Sequence, residues 1–331
     1  MKVIDQNAVL LDTSNMTPYQ VIERVGRTCY KSEDRITEDS ATKFVANLYK
    51  SGHHAMLEFG WIYLKANDID FIEDFEHLKT QYIHSEEWYI SGSLRAFYDF
   101  FEDVILPDGQ HVEYSFRQLL SQLSRKFPEV FEDQFKRSGF KSDIDPYRGP
   151  KFFDDTFFEF LTREDLIDIL EKRPESLSKL LPHTVMFTTD RGVTHELVRH
   201  RPCSFAMEST RYCNYSKEKF GGELTFIKPC FDESDNTGSA LARDLLWKLS
   251  VETAEHRYLK LIEYGATPEQ ARDVLPTTLK ADIWMCATED EWQHIMDLRY
   301  HEKTGKAHPK MKELMGIAYP QLNKASEGRI R

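Results

Sequence analysis

The longest uninterrupted helical periodicity in the chain, SALARDLLWKLSVETAEHRYLKLIEYG over residues 239–265, predicts a long amphipathic helix stopped by Gly265. The strand-forming stretches MLEFGWIYLKA (56–66), HTVMFTT (183–189) and GELTFIKP (222–229) stand apart from such helical runs instead of alternating with them. That segregation predicts an α+β fold rather than a doubly wound sheet. Helical spacing also marks TEDSATKFVANLYKS (37–51), stopped by Gly52, and RGVTHELVRHR (191–201), which Pro202 should end or kink. Thr267-Pro268 supplies an N-cap and first-turn proline for PEQARDVL (268–275). EDEWQHIMDLRY (289–300) and MKELMGIAYPQL (311–322) follow as helices. The intervening region is less regular, with IDFIEDFEHL (69–78), a strand-turn-helix in WYISGSLRAFYDFF (88–101), and helical SFRQLLSQLSRKF (115–127) and REDLIDILEKRPESLSKLL (163–181).

The chemistry concentrates in RHRPCSFAMESTRY (199–212), which gathers Arg199, His200, Arg201 and Arg211 around Ser204, Ser209 and Thr210. The chain as a whole is acidic, with 43 Lys+Arg against 55 Asp+Glu and a net charge of −12. A mostly negative surface disfavours a general nucleic-acid or membrane binder while leaving room for a small anion held by local arginines. The N-terminus MKVIDQNAVLLD lacks the apolar core of a signal peptide, and no run approaches the ~20 apolar residues of a membrane helix. Five scattered cysteines fit a reducing compartment, so the expected location is the cytoplasm. No GxGxxG or P-loop appears. HELVRH is no zinc motif, because His195 and His200 stand five apart and so lie roughly 140° around a helix. No metal site is expected. Neither Ser204 nor Ser209 sits in a G-x-S-x-G elbow that would support a Ser-His hydrolase. By spacing alone, 199–212 is either an anion site or a solvated loop paired with acids such as Glu208. Arg272 and Arg299, set among apolar neighbours, need either an internal acid or a ligand.

Arg199-His200-Arg201, seven further residues and Ser209 resemble the signature of the flavin-dependent thymidylate synthases (ThyX). ERVGRTCYKSED (23–34) is similar to that family's early helix and flavin-edge loop, and SGHHAMLEF (51–59) retains its Gly52, His53 and Glu58. GATPEQARDVLP resembles the helix carrying a substrate arginine, and EWQHIMDLR the final helix with its histidine and arginine. The resemblance implies a ThyX-like α+β fold with a mixed or antiparallel sheet in one catalytic domain spanning 1–331. It implies dTMP made from dUMP, with methylenetetrahydrofolate as carbon donor, FAD as flavin and NADPH as reductant. A homotetramer with shared active sites is implied as well. Carried over by position, Glu196, Arg199, Ser209, Thr210, Arg211, Arg272 and Arg299 would bind dUMP, with Arg299 and Ser209 catalytic. His53, Glu58, Arg199, His200, Arg201 and His294 would hold FAD.

Residues 67–182 are an insertion relative to compact members of the family and are expected to be largely helical. Many members have Thr or Ser at Ala55, Gln or Glu at Met207, and Asn-x-Arg where Thr288-Glu289-Asp290 stands, and Ala206-Met207 gives up polar groups usual in the family. SGSLRAFYDFF (91–101) resembles that lost pattern, so Ser93 and Arg95 are expected to substitute for it. Two alternatives stay open: a related uracil-C5 enzyme with another product, such as a hydroxymethylated nucleotide, and a non-catalytic nucleotide-binding homologue.

Overall fold

A computed structural model describes the chain except for residues 68–82, 105–113, 140–157, 212, 219–220 and 232–237. IDFIEDFEHL and Tyr212 therefore lie outside the described residues. In chain order the elements run β1 (Lys2–Ile4), β2 (Asn7–Leu10), α1 (Pro18–Cys29), α2 (Ser40–Lys50), β3 (Trp61–Ala66), β4 (Ile83–Glu86), β5 (Tyr89–Ser93), α3 (Leu94–Val104), α4 (Tyr114–Lys126) and α5 (Pro128–Arg137). They continue with β6 (Phe158–Leu161), α6 (Arg163–Leu170), α7 (Pro174–Leu180), β7 (Pro182–Asp190), α8 (Arg191–Leu197), β8 (Ser204–Met207), β9 (Thr225–Ile227) and α9 (Gly238–Glu263). The last are α10 (Pro268–Ala271), β10 (Lys280–Thr288), α11 (Glu289–Arg299) and α12 (Pro309–Ala325).

The fold is α+β. One antiparallel sheet has the order β2-β7-β10-β8, and a second has the order β4-β5-β3-β6. In the first sheet, Ile283, Met285 and Ala287 of β10 join Trp292, Ile295 and Met296 of α11 and Met311, Leu314 and Met315 of α12 in one core. On the other face, Trp284 and Cys286 pack with Val21, Val25 and Cys29 of α1. Burial on both sides makes β10 the centre of the fold, and it leaves no polar-apolar alternation to mark it as a strand.

Several sequence expectations shift. The stretch 56–66 is not one strand: His54–Phe59 forms 3-10 turns and the strand starts at Trp61. Gly60 separates the two and passes so close to α1 that a Cβ there would lie 2.6 Å from Ile22 Cδ1. The helix opening at Arg191 ends at Leu197, well before Pro202. It tapers through tight backbone bonds from Arg199 N to Glu196 O (3.3 Å) and from His200 N to Leu197 O (3.1 Å), which place Arg199, His200 and Arg201 on a turn. The predicted cap at Thr267 forms a full capping box with Gln270. The region 67–182 carries helices α3 to α7, yet it also contributes β4, β5 and β6, which pair on either side of β3. Helix α9 is amphipathic only in its second half. Val251, Ala254 and Tyr258 are buried, whereas Leu241, Leu245, Leu246 and Leu249 are 50–70 % exposed. Among the described residues no helix is long and apolar enough to cross a membrane.

Candidate functional site

The short strand β8 carries polar clusters at both ends. At its N-terminal end stands the turn that follows α8, a helix whose start is capped by Asp190 accepting from Val193 N at 2.8 Å. His200 is buried in that turn at 7 % exposure, and its Nε2 accepts a hydrogen bond from Arg299 Nε at 3.3 Å. Burial first, then the nearby Arg299 and His294, push the His200 pKa down from 6.5 to about 4, so the ring is neutral. Arg299 Nη1 also lies 4.0 Å from Glu196 Oε2. His294 is exposed on the same helix as Arg299, and burial raises the Glu291 carboxyl against the opposing effect of His294. The Arg199 guanidinium is exposed and meets no hydrogen-bond or ion-pair partner among the described residues. Arg201 is exposed beside it.

The 3-10 turn before β3 brings Glu58 to this end. The Ser204 hydroxyl donates to the Glu58 carboxylate, whose pKa is nevertheless raised, chiefly by burial, with Ser204 and Arg95 opposing. Arg95, on α3, reaches the neighbourhood of Glu58 while its Nε holds Asp99 at 2.6 Å. Ser93 accepts from Ala96 N at 3.2 Å and is spent on starting α3. His53 is exposed, with Nδ1 3.2 Å from the Tyr30 hydroxyl.

The C-terminal end of β8 leads to the turn that carries Ser209, Thr210 and Arg211. There Cys213 N donates to Ser209 O (3.0 Å) and Arg211 N to Ser209 Oγ (3.3 Å). Thr210 is buried. Arg211 Nε pairs with Glu269 Oε1 at 3.0 Å, and both side chains are more than half exposed (53 % and 56 %), so an incoming anion can displace the pair. Arg272 follows Glu269 by three residues, one helical turn on, and its guanidinium has no partner among the described residues. Arg211 and two hydroxyls thus share one turn, with Arg272 on the segment that supplies Glu269, and these residue types are suited to a phosphate dianion.

Beneath this turn lies a charge network that sequence reasoning missed. Glu208 is 1 % exposed and takes Lys280 Nζ at 2.9 Å on Oε2 and the Tyr215 hydroxyl at 3.1 Å on Oε1. Lys31 Nζ stands 3.5 Å from the same Oε2 and also pairs with Asp282, which Lys280 reaches at 2.6 Å. Burial would raise both carboxyls, but Lys280 and Lys31 hold them below the usual carboxylate range. Glu208 is therefore not a solvated partner for the arginines around it.

The departures at other family positions have structural explanations. Ala206 sits in the apolar cluster of Val21, Val25 and Trp284, and Met207 packs on the opposite core. Glu289 is buried with His183 Nε2 at 2.9 Å and Arg329 Nε at 2.7 Å, away from any ligand role. Asp290 Oδ1 accepts from Thr288 at 2.5 Å and lies within electrostatic reach of His84 and Lys179 of the region 67–182. Burial pushes the thiols of Cys29, Cys213 and Cys286 up to about 12, 11 and 12, so none is a ready thiolate. A cleft of about 950 Å³ between α1, β3 and β6 is lined by none of the candidate residues. Of the cations lining it, Arg163 donates to Pro182 O at 2.8 Å, and Lys126 lies over the Phe160 ring at 4.7 Å.

The fold and these clusters define an α+β protein with an arginine-bearing cluster at each end of the edge strand β8. A family model described as thymidylate synthase complementing protein (Thy1) matches residues 160–325, and the chain belongs to that family. It is 27 % identical over 154 residues to a probable flavin-dependent thymidylate synthase of Paramecium bursaria Chlorella virus 1, covering 43 % of this chain and 69 % of that one. It is 27 % identical over 140 residues to the flavin-dependent thymidylate synthase of Synechocystis sp. (40 % and 63 % covered) and 35 % identical over 113 residues to that of Pyrococcus horikoshii (34 % and 44 % covered). The chain thus spans about two thirds of the first two relatives and under half of the third. A solved UMP/dUMP methylase PolB from Streptomyces cacaoi, bound with 5-Br dUMP, superposes at a TM-score of 0.41 with 13 % identity, covering 99 % of this chain and 96 % of that one. That superposition is too loose to bear on the site.

Proposed function

We propose that the chain is a cytoplasmic FAD-dependent thymidylate synthase that methylates dUMP to dTMP, with methylenetetrahydrofolate as carbon donor and NADPH as reductant. The observation that carries this reading is the two-ended arrangement of β8. Arg211, beside Ser209 at one end, pairs with Glu269 of the segment that carries Arg272, and Arg299, Glu196 and His200 gather at the other. Ser209, Thr210, Arg211 and Arg272 would grip the dUMP phosphate through charge-assisted and bidentate hydrogen bonds. Arg299 would sit at the uracil ring and offset negative charge developing there, a task suited to a permanently charged group. The neutral His200 accepts from Arg299 Nε and so fixes the plane of the fork, leaving its outer nitrogens to face the ring.

The residues at the N-terminal end of β8 fit FAD. Arg199, with no partner among the described residues, would hold a pyrophosphate together with the exposed Arg201, while Glu58, His53, His200 and His294 would border the flavin edge. Arg95, delivered by α3 next to Glu58, is the cation that would replace the arginine lost at position 290. FAD, when bound, supplies the hydride chemistry, and the protein supplies orientation and charge. The proposed route needs no cysteine nucleophile, and burial raises the thiols of Cys29, Cys213 and Cys286.

Ser204 and Glu208 lie about 13 Å apart at the rise of an extended strand. A mononucleotide gripped at the phosphate end is thus most readily completed by a second copy bringing its own Arg199 and Arg299. The uncovered leucines of α9 agree with a homotetramer. On this reading residues 1–331 form one catalytic domain with 67–182 inserted. A second reading, another uracil-C5 product such as a hydroxymethylated nucleotide, is favoured by Ala206 and Met207, which are committed to packing where polar groups are usual in relatives.

The deciding experiment is purification followed by the flavin absorption spectrum, tritium release from C5 of dUMP and identification of the product. Absence of both flavin and tritium release defeats the catalytic reading, and a hydroxymethylated product selects the second one. Arg95→Ala should weaken FAD binding about tenfold, the loss expected for one charge-assisted contact. Unchanged affinity removes Arg95 from the site.

A further inference from the structure

In the turn that carries Ser209 and Arg211, Arg211 is exposed, and one of its contacts is the solvent-facing pair with Glu269. The two ends of the turn are nevertheless tied down. Glu208, immediately before it, is held by its backbone, with its N–H on Asp282 O at 2.9 Å and its carbonyl on Arg191 Nη2 at 3.1 Å. Tyr215, just after the turn, donates its hydroxyl to the Glu208 carboxylate and so closes the loop onto its own start. Lys280 bridges that carboxylate to Asp282, and Lys31 arrives from the end of α1 to meet both acids. Lys31 adopts φ +49°, a left-handed conformation that a non-glycine residue keeps only where its surroundings demand it. Buried ion pairs are poor sources of net stability but effective at fixing one arrangement. Two acids and two lysines placed directly under a ligand-bearing turn are therefore better explained by position than by stability.

We propose that the quartet of buried Glu208 and Asp282 with half-buried Lys31 and Lys280 is a positioning device for the Ser209–Arg211 turn, setting the grip on a nucleotide phosphate without touching the ligand. The proposal rests on the reading of the turn as the dUMP phosphate site. It assigns Lys280 and Glu208 to affinity for the phosphorylated substrate rather than to turnover. It also makes the loop after α1 part of the substrate site's support, although Lys31 lies 178 positions before Ser209 in the chain.

The test compares flavin-loaded wild type with Lys280→Met, which keeps the aliphatic stem and removes the bridging charge, and with Lys280→Arg, which restores a cation. Lys280→Met should raise KM for dUMP by about tenfold or more, as expected for one lost charged hydrogen bond, with kcat within about threefold. Lys280→Arg should recover most of that loss. Binding of deoxyuridine, which has no phosphate, should change less than about twofold in a calorimetric titration, because it does not use the turn. An unchanged KM in folded, flavin-loaded Lys280→Met overturns the proposal, as does an equal loss for dUMP and deoxyuridine. If Lys280→Met does not fold, Tyr215→Phe removes one hydrogen bond to Glu208 and should raise KM about threefold, and no change there overturns the proposal equally. Wild type that binds no dUMP defeats the underlying reading and the proposal together. That outcome is distinct because it appears before any substitution is made.

Discussion

His200 carries a pH signature that follows from its burial. Its folded pKa of about 4 lies below the ordinary 6.5, so above pH 6.5 the ring is neutral whether the chain is folded or not. As pH falls from 6.5 towards 4, the unfolded chain binds a proton that the folded one refuses, and stability drops by up to about 1.4 kcal/mol per pH unit, on the order of 3 kcal/mol in all. Urea unfolding at pH 7 and pH 4.5 should show this loss in wild type and a smaller one in His200→Gln. An equal loss in both proteins would mean that other groups dominate. The candidate residues were legible as types, because arginines and hydroxyls in an acidic chain stand out. Their partners were not legible: Arg299 finds His200 across 99 positions, a contact that only the fold creates. The alternative that paired the loop with a solvated Glu208 fails because the partners of Glu208, Lys31 and Lys280, come from the loop after α1 and from β10.

At the scale of elements, helices were the readable part. Caps such as Thr267 with Gln270 and stops such as Gly265, at φ +91°, act within a few residues and so are written locally. β10 escaped notice because KADIWMCAT lies between α1 on one face and α11 with α12 on the other, which erases the period-two signal. Its centrality has a measurable cost when disturbed: Met285, fully buried, should lose about 2–5 kcal/mol on conversion to alanine. A drop in Tm of only a degree or two would show that the core collapses around the gap. In the region 67–182 the strand and helix expected in WYISGSLRAFYDFF are present as β5 and α3, whereas β4 and β6, four residues each, are too short for alternation to declare itself. Its strands complete a sheet around β3, so the region cannot be removed without exposing both edges of that strand.

At the scale of the molecule, α9 presents Leu241, Leu245 and Leu249 at four-residue intervals, each at least half exposed. A stripe of that kind on an acidic, otherwise polar surface belongs against another apolar face. Leu245→Glu with Leu249→Glu should shift the protein to a smaller species in sedimentation while leaving its far-UV circular dichroism unchanged. An unaltered sedimentation coefficient would place the contact elsewhere. The separation of the two clusters along β8 also bears on how a population of molecules behaves. If each working site borrows its phosphate end from one copy and its Arg299 end from another, defects at opposite ends do not have to coincide. Arg211→Ala and Arg299→Ala, each inactive when pure, should recover about a quarter of wild-type turnover when co-expressed in equal amounts, because a random mixture reunites two intact ends in that share of sites. Two broken enzymes would then repair one another.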